Sequence, residues 1–114
     1  MRISDALRDL VFAPGDDPTT FDRYFSPTYT HRLDGAPMDR QAFEAMLAGL
    51  RRRVESGTVT VLDELTEGSR YAERHVYEAT LTDGTKVKAE SYVFGTLAAD
   101  GRFDQLSETG VPLA

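Results

Sequence analysis

The stretch TVTVLDELTEGSRYAERHVYEATLTDGTKVKAESYVFGTLAADGRFDQLSET, residues 58–109, decides the fold. It reads as four strands separated by three turn dipeptides, Gly68-Ser69, Asp83-Gly84 and Asp100-Gly101. Each dipeptide accepts the positive φ that a two-residue hairpin loop requires. Counting outward from two-residue loops fixes the expected cross-strand partners. About the first turn, Asp63 faces Arg74, Val61 faces Val76 and Leu65 faces Ala72. About the second, Arg74 faces Val93, Val76 faces Ser91 and Ala72 faces Gly95. About the third, Val93 faces Glu108 and Gly95 faces Leu106.

Side chains alternate along a strand, so this register predicts two faces. One carries Val59, Val61, Leu65, Ala72, Val76, Ala89, Val93 and Leu106, with Asp63, Arg74 and Glu108 in a single polar row. Being mainly small and apolar, it is the face that helices are expected to cover. The other carries Tyr71, Glu73, His75, Tyr77, Tyr92 and Phe94 among several threonines. A Tyr/Thr-rich sheet surface is typical of an interface, which predicts a symmetric homodimer through that face, with His75 an interface or surface histidine.

Upstream of the meander, apolar spacing predicts three helices. Ser4 is the expected cap of the first, with Ile3, Leu7, Leu10 and Val11 on one side and Pro14-Gly15 as the stop. Asp17-Pro18 is expected to open the second, whose stripe is Phe21, Tyr24 and Phe25, ended by Ser26-Pro27. The third starts at the cap Asp39 and repeats Phe43, Met46, Leu47, Leu50 and Val54 at helical spacing. Between the second and third, Thr28 to Leu33 reads as a short strand closed by Asp34-Gly35. Helices followed by an antiparallel meander make an α+β chain, with the helices collected on one face of the sheet.

Composition narrows the partners. The chain has 114 residues, the size of one domain spanning 1–114, and 40% of them are hydrophobic, which suits a packed core. The formal net charge of −6 disfavours nucleic acid, which needs clustered cations. The basic run Arg51-Arg52-Arg53 sits where it complements a helix C-terminus. There is no cysteine, so thiolate chemistry, disulfides and Cys-ligated zinc are out. No segment has the apolar length of a membrane span, and the acid at Asp5 argues against a signal peptide. A cytoplasmic protein without membrane contact is expected.

Several pieces carry a family resemblance: Phe25-Ser26-Pro27-Thr28-Tyr29-Thr30-His31, the turn Asp34-Gly35 ahead of the helix Asp39 to Arg53, Arg74-His75 in the long strand, and the closing Asp100-Gly101-Arg102-Phe103-Asp104-Gln105-Leu106-Ser107-Glu108. Over roughly residues 18 to 110 the chain resembles the nuclear transport factor 2-like superfamily and, within it, the SnoaL-like group. The resemblance implies three N-terminal helices packed in the concave face of a strongly curved, mostly antiparallel sheet, a cystatin-like cone holding an apolar pocket. It also implies a dimer through the sheet. Members include polyketide cyclases, a ketosteroid isomerase, dehydratases, epoxide hydrolases and proteins without assigned activity; the enzymes use acid–base chemistry without a metal.

An isomerase or cyclase needs a base to remove a proton beside a carbonyl, and a donor to hold the enolate oxygen. Glu108 and Asp63 are the candidate bases, with His31 the third candidate catalytic residue. Tyr29 is a candidate donor and Arg74 a candidate anion contact, while Phe43, Met46, Leu47 and Val93 are expected to wall the pocket. No nucleophile elbow, P-loop or dinucleotide fingerprint is present. A metal site would have to join His31 and His75, which the predicted faces keep apart, so neither metal nor cofactor is expected. The expected partner is an apolar or weakly polar small molecule. The alternatives are a non-catalytic ligand-binding module and a dimerisation domain with a filled core.

Overall fold

A computed structural model describes all 114 residues. Helix α1, Ile3–Leu7, runs directly into one turn of π-helix, Arg8–Phe12, and α2 spans Thr20–Tyr24. Strand β1 (Phe25–Leu33), strand β2 (Ala36–Asp39) and helix α3 (Arg40–Arg53) follow. The meander is β3 (Val54–Glu67), β4 (Arg70–Leu81), β5 (Lys86–Leu97) and β6 (Phe103–Pro112). All six strands form one sheet in the order β2-β1-β6-β5-β4-β3. Every pairing is antiparallel except β1 with β6, which is parallel. The class is α+β.

Local chemistry explains most boundaries. Asp39 caps α3 by accepting the Ala42 N–H at 2.8 Å, and Arg51, Arg52 and Arg53 fill its last turn, where cations favour the dipole. The two short helices depart from expectation. Ser4 lies inside α1 rather than capping it, and its hydroxyl is spent on a carboxylate of the sheet. Asp17 accepts the N–H and hydroxyl of Thr19 just ahead of α2, so it ties a turn instead of capping the helix. Ser26 and Pro27 belong to β1, which is longer than the expected strand. Pro27 cannot donate to a ladder, and the β1–β6 register is interrupted between Phe25 and Thr30 where it sits.

Register is where the turns mislead. The Gly68-Ser69 hairpin has the expected two-residue loop, with Glu67 opposite Arg70, Leu65 opposite Ala72 and Asp63 opposite Arg74. A bulge at Leu62 then shifts β3, so that Val61 faces His75 and Val59 faces Tyr77. At the second turn, Thr80 pairs with Lys86 and the Leu81 N–H donates to the Thr85 carbonyl, leaving a three-residue loop of Thr82, Asp83 and Gly84. Gly84 takes the positive φ of 88° that such a loop needs at its last position. The extra residue moves β4 by one against β5: Arg74 faces Tyr92, Glu73 faces Val93 and His75 faces Ser91.

A one-residue slip turns every side chain over. Tyr71, Glu73, His75 and Ala79 are therefore buried on the helix side with Ala89, Ser91 and Val93. The expectation of a Tyr/Thr-rich interface containing Tyr71, Tyr77 and His75 is corrected accordingly. At the third turn two departures cancel: Ala98 bonds Arg102 across a three-residue loop, and an irregularity beyond Leu97 restores Val93 opposite Glu108 and Gly95 opposite Leu106.

The core joins Ile3, Ala6, Val11, Phe21, Phe43 and Leu47 of the helical segments to Phe25, Tyr29, Tyr71, Val93, Phe103 and Leu106 of the sheet. Phe25 is its hub, with ring centroids 4.6 Å from Phe21, 4.6 Å from Tyr29 and 5.2 Å from Phe43. Close packing reaches the backbone at Gly95, where an added Cβ would stand 1.9 Å from the Gln105 carbonyl oxygen. Replacing Gly95 by Ala is expected to cost about 3 kcal/mol, measured as a lowered urea midpoint. Gly49→Ala is the matching control: its Cβ would meet nothing nearer than 3.9 Å, and the helix should gain about 0.5–1 kcal/mol. Equal stability of the two variants would contradict the close approach of β5 to β6.

Candidate functional site

Between the helices and the sheet lies a cavity of about 580 Å³. Its apolar wall comes from Leu7, Val11 and Phe12 of the N-terminal segment, Phe43, Met46, Leu47 and Leu50 of α3, and Ala79, Ala89 and Val93 of the sheet. The polar side chains set into that wall are His31, His75, Tyr77, Ser91 and Glu108, with Asp34, Arg53 and Lys88 also lining it.

Two imidazole–carboxylate pairs bring their histidines to this space. In the first, His31 Nε2 lies 2.7 Å from Glu108 Oε1 and His31 Nδ1 lies 2.6 Å from the Tyr29 hydroxyl. Strand pairing explains the meeting: parallel β1 and β6 set His31 beside Leu106 and Leu33 beside Glu108. Burial pushes the Tyr29 phenol well above its ordinary pKa, and the Glu108 charge pushes it further. Tyr29 is thus a donor to Nδ1, which leaves the Nε2 proton to be donated to Glu108. The His31 ring is stacked on Phe43 with centroids 4.0 Å apart, which fixes its plane. Within the pair His31 is buried, whereas the Glu108 side chain keeps 23% of its exposure.

The second pair lies on β4. His75 Nδ1 is 2.7 Å from Glu73 Oε2, and the Glu73 side chain has no exposed surface. Its other oxygen accepts from the Tyr71 hydroxyl at 2.8 Å and the Ser4 hydroxyl at 3.1 Å. Burial opposes a charge on Glu73, but the hydrogen bonds from His75, Tyr71 and Ser4 outweigh it. Its pKa consequently sits below the ordinary carboxylate value. Tyr77, the next residue inward on the same strand, has its phenol raised by burial and then by Glu108.

The expected site residues divide. Glu108 and His31 meet, with Tyr29 behind His31, and Phe43, Met46, Leu47 and Val93 line the cavity. Asp63 and Arg74 do not join them. They pair with each other at 2.6 Å on the opposite face of the sheet, with side chains 71% and 41% exposed, because the bulge at Leu62 and the slip at β4 put them there. Sequence reading missed His75, Tyr77 and Ser91 as cavity residues, and Glu73 as the buried partner of His75. The signal was present in the alternation Tyr71, Glu73, His75, Tyr77, but the register sent it outward. Both histidines line the cavity, so the expected separation of His31 from His75 is also corrected. No group of three or more His, Cys, Asp or Glu side chains is arranged to hold a metal ion.

Several solved structures share this architecture. A nuclear transport factor 2-like protein of unknown function from Exiguobacterium sp. 255-15 superposes with a TM-score of 0.74 at 21% identity, covering 96% of each chain. The fold is nuclear transport factor 2-like. IdmH of Streptomyces antibioticus, named as a proposed polyketide cyclase, superposes with a TM-score of 0.74 at 18% identity, over 95% of this chain and 86% of that one. A hypothetical protein of ketosteroid isomerase-like fold from Catenulispora acidiphila, solved with trimethylamine, gives 0.69 at 15% identity, over 93% and 81%. No protein-family model and no curated protein sequence matches the chain. No helix of this chain is long and apolar enough to cross a membrane.

Glu73 also sets a pH dependence. A carboxylate whose folded pKa lies below its unfolded value stabilises the fold above that unfolded value, and the contribution is lost as pH falls through the folded pKa. Glu73→Gln should therefore lower stability by roughly 1–3 kcal/mol at pH 7. The gap from wild type should hold down to about pH 5 and narrow below about pH 4.3, the ordinary Glu pKa. Urea midpoints of both proteins at pH 7, 5 and 3.5 test this; a gap that widens in acid would refute it.

Proposed function

We propose that this chain binds a small, largely apolar carbonyl compound in the cavity and isomerises or cyclises it by acid–base chemistry that requires no metal. The observation that carries the reading is the Glu108 carboxylate at an apolar cavity, one oxygen held by His31 and the other left for a ligand. Glu108 is the base. It removes a proton from the carbon beside the carbonyl, and the C–H electrons move onto the carbonyl oxygen as an enolate. Tyr77, whose phenol stays protonated, donates to that oxygen. Returning the proton to a different carbon isomerises the substrate; attack of the enolate carbon on a second carbonyl closes a ring, and the Glu108 proton passes to the alkoxide formed there. Tyr29 and His31 act behind Glu108, fixing its orientation. The structural likeness to IdmH, named as a proposed polyketide cyclase, supports the cyclising form of this reading.

The partner reading is a second copy of the chain, now on the corrected outer face. There Leu65 and Phe94 are 63% and 56% exposed beside Tyr92. The Arg74–Asp63 pair supplies both signs of charge to the same patch, as a two-fold interface requires.

Cyclic ketones and aromatic ketones, screened by thermal shift and then followed by NMR in heavy water, test the first reading. Wild-type protein should exchange the α-protons of a bound ketone for deuterium, and Glu108→Gln should slow the exchange at least a hundredfold while still binding. Unchanged exchange in Glu108→Gln, or binding without exchange in wild type, would leave a non-catalytic binding module. For the dimer, light scattering at tens of micromolar should report twice the chain mass for wild type and a monomer for Phe94→Asp; a wild-type monomer removes this interface.

A further inference from the structure

Within the cavity just described, one polar atom has no counterpart in the chain. His75 is 1% exposed, and its Nε2 is the buried side-chain nitrogen or oxygen that no hydrogen-bonding group of the protein reaches. Buried polar atoms are nearly always paired, because an unmade hydrogen bond leaves the full desolvation cost standing. The other edge of the ring is fully committed. Nδ1 meets Glu73, whose carboxylate, able only to accept, takes hydrogen bonds from the Ser4 and Tyr71 hydroxyls and from His75 itself. Tyr71 is in turn occupied as an acceptor by the Ile3 N–H at 2.9 Å. The proton of a neutral His75 therefore belongs on Nδ1, and Nε2 presents a lone pair.

The charge around this lone pair is one-sided. The carboxylates of the site are those of Glu73, buried behind His75, and Glu108, half-buried on the cavity wall, whereas the cations that line the cavity, Arg53 and Lys88, are exposed, and Lys88 is paired with Glu78 at 3.4 Å. A ligand acid group brought to Nε2 would meet a lone pair and two negative charges with no buried cation to offset them. A ligand hydroxyl would supply the one thing that is missing, an O–H donor without charge. The remaining wall is apolar, and about 580 Å³ suits a molecule of two or three fused rings.

We propose that the cavity takes an uncharged molecule carrying a hydroxyl group, that this O–H is donated to Nε2 of His75, and that the site discriminates against carboxylates. The inference rests on the cavity reading above and narrows it: the carbonyl compound bound there also bears an alcohol, enol or phenol oxygen. His75 is a binding residue in this account, with Glu73, Ser4 and Tyr71 holding it in its tautomer.

Three matched probes test it by calorimetry at pH 7: 2-naphthol, its methyl ether and 2-naphthoate. They share one ring system and differ only in what they offer Nε2. The naphthol should bind about tenfold more tightly than the ether, the worth of one such hydrogen bond. The naphthoate should be the weakest. In His75→Phe the naphthol and the ether should bind alike, and the wild-type series decides the matter even if that variant fails to fold. Equal affinity of naphthol and ether for wild type, or naphthoate as the tightest probe, overturns the hydroxyl site while leaving an apolar cavity in place. No binding by any of the three overturns the hydroxyl site and the cavity reading together. Loss of α-proton exchange alone would strike the catalytic reading and not this one.

Discussion

The carboxylate of Glu73 has no solvent-exposed surface, and a charge so placed survives only if every lone pair is answered. The answer comes from two parts of the chain. Ser4 reaches it from α1, and Tyr71 and His75 flank it on β4. Because Tyr71 also receives the Ile3 N–H, the first helical turn is bound to the sheet at two adjacent points. Arg2 adds a third link outside, with contacts of 2.5 and 2.6 Å to Glu64 of β3. The docking of a five-residue helix too short to be stable alone thus follows from the needs of one buried acid. That docking puts Leu7, Val11 and Phe12 over the cavity.

Much of the fold was legible because it depends on short-range chemistry. The cap at Asp39, the apolar period of α3 and the glycines of the turns are each decided within a few residues. Register is a different kind of quantity. It depends on whether a loop holds two residues or three and whether a strand carries a bulge, and both are settled by packing across the whole sheet. Asp83-Gly84 is a good turn signal in either case; Thr82 decides the count, and nothing in its side chain announces this. At Asp100-Gly101 the same miscount was hidden by a compensating irregularity, so Val93 and Glu108 were placed correctly for an incomplete reason.

The site was legible in the same proportion. His31 and Tyr29 share a face of one strand, an alternation readable without any partner, and Glu108 lies on a strand whose face follows from the third turn. Their meeting required the parallel β1–β6 pairing, a contact across more than seventy positions that no local pattern encodes. The pairing of Asp63 with Arg74 is legible in the sequence and the face it occupies is not, since a pair keeps its register through a face reversal. Glu73 and His75 were lost to the same reversal. They are polar residues in a strand of otherwise alternating burial, and only the true register shows that they occupy the buried positions.

The parallel pairing also orders events in time. β1 has no antiparallel neighbour on the β6 side that a tight hairpin could supply, so its edge stays open until the last strand of the meander arrives. Loops of such length close slowly compared with hairpins. During synthesis β3, β4 and β5 can pair with one another as they emerge, whereas Tyr29, His31 and the hub Phe25 must wait for Phe103, Leu106 and Glu108. Core completion and assembly of the His31–Glu108 pair are therefore one event, so a molecule that has closed its core has, by the same step, built this half of its site.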